Sequence, residues 1–215
     1  MNEIIFRLAK PSDAGQIANC HWHVRERYTQ GIFLSLGKGF LKEYYKIILD
    51  DPYEVVVCAE RDGKIIGFSS ATLDGVAQAV NLKKHKVRLA IAAMRALIFR
   101  PKLLAEVWSR YRSLSGNGSH QFIHVDGVRG EYWCWLKAEE NDSKAAELDR
   151  AKARVLWDLG YRELYFEVDK NNKAVYKYHL KVNKAIPVEE ITLPDGRERV
   201  LFRCPIIPSD GRRAE

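Results

Sequence analysis

Hydrophobic residues recur along the chain in patterns that predict a mixed succession of strands and helices. A first strand spans about Ile4 to Leu8, and apolar residues at helical spacing then form two runs, Ile17 to Tyr28 and Leu41 to Ile48. Two strand-like runs, VVVCAE and KIIGFSSATL, flank Arg61-Asp62-Gly63, which is typical of a hairpin turn. The pattern therefore begins with a strand, two helices and a hairpin.

The second half of the chain continues with alternating strand and helix signals after a helical interruption. The predicted elements are, in order, helices at about 82–99 and 101–114, strands at 121–125 and 131–136, a helix at about 142–159, a strand at 163–168, a helix at about 173–182 and a closing hairpin around 194–196. We therefore expect one α/β domain over residues 1–207, with a helical insertion at about 74–119. The tail, 208–215, is expected to be disordered.

The positive charge of the chain is concentrated in that insertion. The formal net charge is +7, and the stretch from Asn81 to Arg112 alone contains nine Lys or Arg residues and one acid, Glu106. Three interpretations of the basic segment at 83–112 stay open: a helical hairpin with a solvated basic side, a patch for a membrane surface or nucleic acid, and a dock for an acidic protein partner. Nucleic acid is the least supported partner, because no recognised binding motif accompanies the charge.

The cysteines and histidines do not have the spacing of a metal site. The four cysteines lack CxxC spacing and are expected to be reduced and packed: Cys20, Cys58, Cys134 and Cys204. His21 and His23 lie two apart on a predicted helix, where side chains point to different faces, so we expect a packed His21 and no metal. No signal-peptide pattern and no run of 18 apolar residues occur, so we expect a cytoplasmic protein without a transmembrane segment.

Three strings resemble the GNAT (N-acetyltransferase) superfamily. They are FRLAKPSDAGQIA at the start, VVVCAERDGKIIGFSSATLDG at the first hairpin and LGYRELYFEVDKNNKAVYKY near the end. In the last string Asn171, Ala174 and Tyr178 keep the family's N-x-x-A-x-x-x-Y spacing. The resemblance implies a mixed central sheet with two splayed strands and flanking helices. It also implies acyl (acetyl) transfer from acetyl-CoA or another acyl-CoA to a small-molecule amine or amino sugar.

The resemblance also implies roles for individual residues. Tyr178 stands where the family has a tyrosine that protonates the departing thiolate, and Glu131 stands where some members have a general base. Glu167 and Asp169, on the other splayed strand, are alternative bases. A backbone amide near Cys134 or Trp135 would stabilise the oxyanion. The expected contacts of the acyl-CoA are Cys134, Trp135, Leu136, Ser143, Lys144, Ala145 and Asn171.

The stretch that would bind the diphosphate of coenzyme A departs from the family pattern. Members have an R/Q-x-x-G-x-G/A loop, whose glycines let backbone amides approach the phosphates at a helix start. Here the stretch is KAEENDSKAAEL, and no glycine occurs from Glu131 to Leu159. Near its start, Glu139, Glu140 and Asp142 either repel a diphosphate or only stabilise the first turn of a helix. We therefore expect weak coenzyme A binding.

Two alternatives to an ordinary acyl-CoA enzyme follow from this departure. One is a binding or scaffold protein that keeps the fold without the chemistry, and the other is an acyltransferase whose donor is an acyl group on a carrier protein. Trp133 and Trp135 face one side of their strand and either line an acyl pocket or pack the sheet. The family architecture implies acceptor contacts at Tyr28, Gly31 and Phe33, and a homodimer stays open.

Overall fold

The computed structural model describes residues 3–24, 36–99, 127–139, 142–192 and 196–207. The strands are β1 (Ile5–Leu8), β2 (Glu54–Arg61), β3 (Lys64–Thr72), β4 (Arg129–Trp135), β5 (Glu163–Asp169), β6 (Ile186–Thr192) and β7 (Glu198–Pro205). The helices are α1 (Ala14–His23), α2 (Gly37–Ile48), α3 (Gly75–Lys84), α4 (Lys86–Phe99), α5 (Asp142–Asp158) and α6 (Lys173–Lys181). Short 3-10 turns at Pro11–Asp13 and Lys137–Glu139 precede α1 and α5.

The seven strands form one mixed sheet in the order β1-β2-β3-β4-β5-β7-β6. Neighbouring strands are antiparallel except β4 and β5, which are parallel and are joined at only one residue pair, Arg129 and Tyr165. The amide of Tyr165 donates to the carbonyl of Val128 at 2.9 Å, and beyond this point the two strands separate. The expected α/β architecture with a splayed mixed sheet is therefore confirmed.

A bulge in β4 reorients the strand just before it separates from β5. Ser69 pairs with Trp133 and Ala71 pairs with Gly130, so Glu131 and Tyr132 both lie opposite Ser70. The amide of Tyr132 donates to the Ser70 hydroxyl at 3.2 Å instead of to a strand carbonyl. Bulges bend a strand and redirect side chains, which is how β4 diverges from its neighbour here.

Helices cover both faces of the sheet, and the strands are therefore apolar on both sides. In β2, Val56 and Cys58 pack with α1, α2 and α4, whereas Val55 and Val57 pack on the other face with α5 and α6. This explains why VVVCAE is a continuous apolar run and not an alternating one.

The insertion differs in detail from the predicted single helix at 82–99. A helix begins at Gly75, because the Asp74 side chain accepts hydrogen bonds from the amides of Val76 and Ala77, both at 2.9 Å. That helix ends near His85, and a second helix follows it.

Some predictions concern residues outside the described ranges. These are the elements at 101–114 and 121–125, the tail, and Tyr28, Gly31, Phe33 and Glu140. Within the described ranges, no helix is long and apolar enough to cross a membrane.

Candidate functional site

The gap between β4 and β5 exposes main-chain groups that no neighbouring strand pairs among the described residues. The amide of Leu136 donates to the carbonyl of Ile66 on β3 at 2.9 Å, and Cys134 is opposite Phe68. Since amide directions alternate along a strand, the amides of Cys134 and Leu136 face β3, and those of Trp133 and Trp135 face the gap. Of the two amides expected to bind an oxyanion, the amide of Trp135 therefore faces the gap.

Tyr178 lies beside this gap on α6, which follows the turn after β5. The side chain of Asn172 caps this helix by accepting a hydrogen bond from the Val175 amide at 3.4 Å. The Tyr178 hydroxyl is buried and has no hydrogen-bond partner among the described residues. Burial raises the pKa of Tyr178 to about 12, and the nearby Asp149 carboxylate contributes in the same direction. The group therefore keeps its proton at physiological pH.

The two tryptophans of β4 tie the strand to the segment that leads into α5. The indole N–H of Trp133 donates to the carbonyl of Ala145 at 3.1 Å, and that of Trp135 donates to the carbonyl of Glu139 at 2.6 Å. The ring of Trp133 also packs on Tyr178, with 4.9 Å between the centroids. Trp135 is 9% exposed and packs in the core, whereas Trp133 lies between β4, α5 and α6.

The predicted acyl-CoA contacts divide into two groups in the structure. Ala145 accepts a hydrogen bond from Trp133, and Trp135 lies two residues from Trp133 on β4; Tyr178, the predicted acid, packs on the Trp133 ring. The others are spread around this centre: the Cys134 side chain is buried on the opposite face with α1 and α2, Leu136 is half-buried, Ser143 is exposed, Lys144 pairs with Glu147 at 2.6 Å, and Asn171 is exposed.

The diphosphate end of the expected site has one acid whose charge is already compensated. The carboxylate of Glu139 pairs with the guanidinium of Arg61, at the end of β2. Its charge is therefore partly neutralised, and less repulsion of a phosphate is expected from it than from a free carboxylate. Helix α5 begins at Asp142, in a sequence that supplies no glycine for close backbone approach.

Glu131, the predicted base, belongs to a polar cluster on the face of α1 and α2. Arg129 donates to Glu131 at 2.6 Å and to the side-chain oxygen of Gln78 at 2.8 Å. Gln78, on α3, donates in turn to Glu54 on β2 at 2.7 Å. Burial, followed by the charge of Glu131, raises the pKa of Glu54 to about 8. Sequence reasoning missed Glu54, which is half-buried, and Gln78, which is buried, because nothing local marks a strand-end Glu or a helical Gln as withdrawn from solvent.

The two alternative bases on β5 are bound by other groups. The side chain of Arg199 donates to Glu167 at 3.1 Å, and the Asp169 carboxylate accepts the Asn171 amide at 2.9 Å.

A second buried network lies behind Tyr178 and was also missed from the sequence. Asp149 pairs with Lys152 at 2.9 Å on α5 and accepts a hydrogen bond from Asn183 at 3.0 Å. Asn183 is also 3.1 Å from Nδ1 of His179, the neighbour of Tyr178. Lys152 holds the pKa of Asp149 below its ordinary value, although burial alone would raise it. The network fixes α6, and hence Tyr178, against α5.

The histidine prediction is confirmed for His21. Its side chain is buried, and its Nδ1 lies 2.7 Å from the Tyr45 hydroxyl. Burial lowers the pKa of His21 to about 4. Over the part of the chain that the structure describes, no group of three or more His, Cys, Asp or Glu side chains is placed to hold a metal ion.

Comparison with known proteins relates this architecture to one group of enzymes. No family model matches the sequence, and no curated protein matches it. Among solved structures, a GNAT-family acetyltransferase described as putative, from Desulfovibrio desulfuricans, is similar with a TM-score of 0.58 and 10% identity over 95% of this chain and 100% of that chain. An aminoglycoside 6'-acetyltransferase type Ii is similar with a TM-score of 0.56 and 12% identity over 95% and 98% of the two chains.

A third similar structure is the ribosomal-protein-S18-alanine N-acetyltransferase of Escherichia coli, with a TM-score of 0.55 and 10% identity over 99% of this chain and 100% of that chain. At such identities the likeness establishes the fold, and it agrees with the strand order and the separation of β4 from β5. The chain therefore has the fold of the GNAT acetyltransferases.

Proposed function

We propose that this protein transfers an acyl group from a pantetheine thioester to an amine, with Tyr178 as the proton donor. The observation that carries the proposal is the buried Tyr178 hydroxyl, which has no partner among the described residues and lies beside the gap of a GNAT fold. A buried hydroxyl without a hydrogen bond costs about 1–3 kcal/mol, so such a group calls for a functional explanation. The sulfur of a thioester bound in the gap would provide the missing partner.

The proton chemistry suits a buried thiol as the leaving group. Acetyl-CoA or another acyl-CoA would supply the activated acyl group as its thioester. Burial raises the pKa of the Cys204 thiol to about 12, and Cys204 lies near enough to Tyr178 to affect its pKa. Burial disfavours the charged form of a leaving thiolate just as it disfavours that of Tyr178, so a buried thiolate would accept a proton more readily than one in water.

The other groups of the site have complementary roles in this proposal. The Trp135 amide, which faces the gap, would donate to the oxyanion. Glu131 would accept the proton of the ammonium, directly or through a water molecule. Arg129 pairs with Glu131, and Gln78 links Arg129 to Glu54, so the two carboxylates belong to one hydrogen-bonded network beside the gap.

The donor and the acceptor are proposed only as chemical classes. The gap and the Tyr178 hydroxyl fit the pantetheine and thioester portion of a donor, whereas the segment before α5 lacks the glycines that would bind a diphosphate closely. The solved structures of this fold include enzymes named for an aminoglycoside and for a protein alanine, so an amine or amino sugar is a consistent acceptor. A cytoplasmic location fits the four free, buried cysteines.

One observation favours a scaffold protein as a second candidate. Trp133 packs on Tyr178 and hydrogen-bonds to α5, so its indole lies beside the space into which a pantetheine arm would enter. A protein that has lost the chemistry would tolerate such packing.

Ligand binding and turnover distinguish these candidates. The protein is titrated with acetyl-CoA, S-acetylpantetheine and acetylated acyl carrier protein while the melting temperature is followed. We expect saturable stabilisation by at least one thioester, and thiol release when an amine or amino sugar is added. No stabilisation at millimolar thioester and no thiol release would contradict the proposal and favour the scaffold.

A further inference from the structure

Helix α4 has an apolar stripe that faces outward. Four aliphatic side chains form it and are 65, 59, 52 and 73% exposed: Val87, Ile91, Met94 and Ile98. Steps of four, three and four residues place them on one side of the helix, over a length of about 16 Å. The opposite side of α4 is also apolar, since Ala93 is buried and Leu89 and Leu97 pack into the core with α1 and α2. A helix that is apolar on two sides indicates a second apolar environment.

The surroundings of this stripe are cationic. The sequence from Gly75 to Phe99 contains five Lys or Arg residues and no acid. Lys83, Lys84 and Lys86 are exposed around the junction of the two helices. The side chain of Arg88 is 44% exposed, and it pairs at 2.7 Å with Glu43 of α2.

We propose that the segment formed by α3 and α4 binds the surface of an anionic lipid bilayer. The stripe would lie along the boundary between headgroups and acyl chains, and the lysines would contact anionic headgroups. Apolar residues on one side of a helix, with Lys and Arg beside them, are typical of helices that lie in the membrane interface. Charge complementarity favours an anionic partner, because juxtamembrane Lys and Arg are attracted to acidic lipids and the sequence from Gly75 to Phe99 contains no acid to oppose this attraction.

The shape of the stripe favours lipid over an acidic protein. Its side chains project from the outer surface of a helix, so a protein partner would need a matching groove, whereas a lipid surface deforms around them. Protein interfaces usually depend on Trp, Tyr and Arg anchors, and the stripe itself is entirely aliphatic.

The position of α3 and α4 relates membrane binding to the proposed function, on which this step rests. Arg88 on α4 pairs with Glu43 on α2, and the apolar inner side of α4 packs with α1 and α2, on the face opposite α5 and α6. Membrane binding would therefore turn the face of the sheet that carries Glu131, the proposed base, toward the lipid. This is consistent with an amine presented at a membrane surface.

Vesicle flotation tests the proposal without any enzymatic assay. The full-length protein is mixed with vesicles of phosphatidylcholine alone, or of phosphatidylcholine with phosphatidylglycerol, at low and high salt. We expect binding that depends on phosphatidylglycerol and is weakened by salt. Combining Lys83→Glu with Lys86→Glu should lower the partition coefficient about 100-fold, and Ile91→Asp should lower it about tenfold. The matched controls, Lys64→Glu and Val188→Asp, also change exposed residues and should bind as the unaltered protein does.

Three outcomes would overturn the proposal. The first is the absence of phosphatidylglycerol-dependent flotation, and the second is flotation that the Ile91→Asp variant retains in full. The third is that Ile91→Asp lowers the melting temperature, Val188→Asp leaves it unchanged, and the unaltered protein does not bind vesicles. In that case the stripe would be covered by the chain itself. Binding of soluble acyl carrier protein in place of vesicles would assign the surface to an acidic protein and would equally contradict lipid binding.

Discussion

The indole of Trp133 packs on the ring of Tyr178, with 4.9 Å between centroids and 43° between planes, at the gap between β4 and β5. The contact joins the strand that exposes amides to the gap with the helix that carries the buried hydroxyl. Any ligand that reaches the Tyr178 hydroxyl must therefore approach next to Trp133. The roles of these two residues can be separated experimentally, because only one of them has a dissociable proton.

Replacing Tyr178 with Phe should reduce acyl transfer by about 100-fold, because the proton donor to the leaving thiol is lost. The melting temperature should not fall, since the substitution removes a buried hydroxyl that has no partner among the described residues. Tyr176→Phe is the matched control on the same helix, where the ring packs on Phe202 with 5.3 Å between centroids. Equal turnover in the two folded variants would remove Tyr178 from the mechanism.

The buried pair of Asp149 and Lys152 predicts a large effect on stability. The substitution Lys152→Met leaves a buried carboxylate without its cation, which should lower the free energy of unfolding by about 3–5 kcal/mol. The comparable pair on the same helix, Lys144 and Glu147, is more than a third exposed. Lys144→Met should therefore change the free energy of unfolding by less than about 0.5 kcal/mol. Chemical denaturation measures the free energy of unfolding of both variants. Similar losses would show that burial does not determine how much an ion pair contributes to stability.

Gly67 is predicted to be required by its closeness to Trp135. A Cβ atom at this position would come within 2.5 Å of the indole, which is buried between the sheet and α5. Gly67→Ala should therefore lower stability by about 1–3 kcal/mol through displacement of the ring. At Gly39, in α2, a Cβ atom would meet nothing within 4 Å, so Gly39→Ala should stabilise by up to about 1 kcal/mol. Thermal unfolding with opposite signs in the two variants is the expected result.

Within the described residues, the succession of strands and helices along the chain was largely predictable from the sequence, because it depends on local periodicity. The hairpin at Arg61-Asp62-Gly63 and the helix after Asp142 are examples, since turn residues and apolar spacing identify each within a short window. The N-cap of α3 was also visible in principle, as Asp74 precedes Gly75, but apolar spacing alone placed that helix start too late. Such features are set by neighbours in the chain.

The parts of the site that were not predicted depend on residues distant in sequence. Glu54 and Thr72 are paired across β2 and β3, and Thr72 pairs with Arg129 on β4, so one row of the sheet joins positions 75 residues apart. The β4 bulge likewise follows from its pairing with Ser70, not from a local signal. From the sequence alone, Asp149 and Lys152 are predicted to be ordinary surface charges of a helix. They are buried because α5 packs against α6.

The pKa of Glu54 predicts a pH dependence of stability. Burial raises this pKa to about 8 in the folded protein, from an ordinary value of 4.5, so the folded state binds more protons than the unfolded state between those values. The contribution of Glu54 to stability is therefore present at low pH and is lost as pH rises toward 8. The fall due to Glu54 should be close to about 1.4 kcal/mol per pH unit near pH 6.5 and about half of that at pH 8.

The substitution Glu54→Gln should remove this fall, because the amide does not titrate. Glu43→Gln is the control, since Glu43 pairs with Arg88 at the surface and its pKa is lowered by Lys46 and Arg88. Denaturation curves at several pH values give the slope directly. A slope that stays unchanged in Glu54→Gln would show that another group is responsible.

The pairing of Arg61 with Glu139 predicts how the protein would treat the diphosphate of coenzyme A. The guanidinium of Arg61 is engaged by the carboxylate of Glu139, three residues before the start of α5. The segment that leads into α5 has no glycine, and Arg61 is already paired with Glu139. The diphosphate should therefore add little to the affinity for acetyl-CoA. Acetyl-CoA should then bind no more than about tenfold more tightly than S-acetylpantetheine, a difference of about 1.4 kcal/mol.

The substitution Glu139→Gln removes the negative charge and leaves Arg61 available for a phosphate. It should therefore raise the affinity for acetyl-CoA several-fold, whereas the affinity for S-acetylpantetheine, which lacks the diphosphate, should stay constant. Glu163→Gln is a suitable control, because it removes an exposed acid at the start of β5. Calorimetric titration of both ligands measures the two affinities. If acetyl-CoA binds the unaltered protein more than about 100-fold more tightly than S-acetylpantetheine, the prediction is wrong. The diphosphate would then contribute strongly to binding, through groups other than a glycine-rich loop.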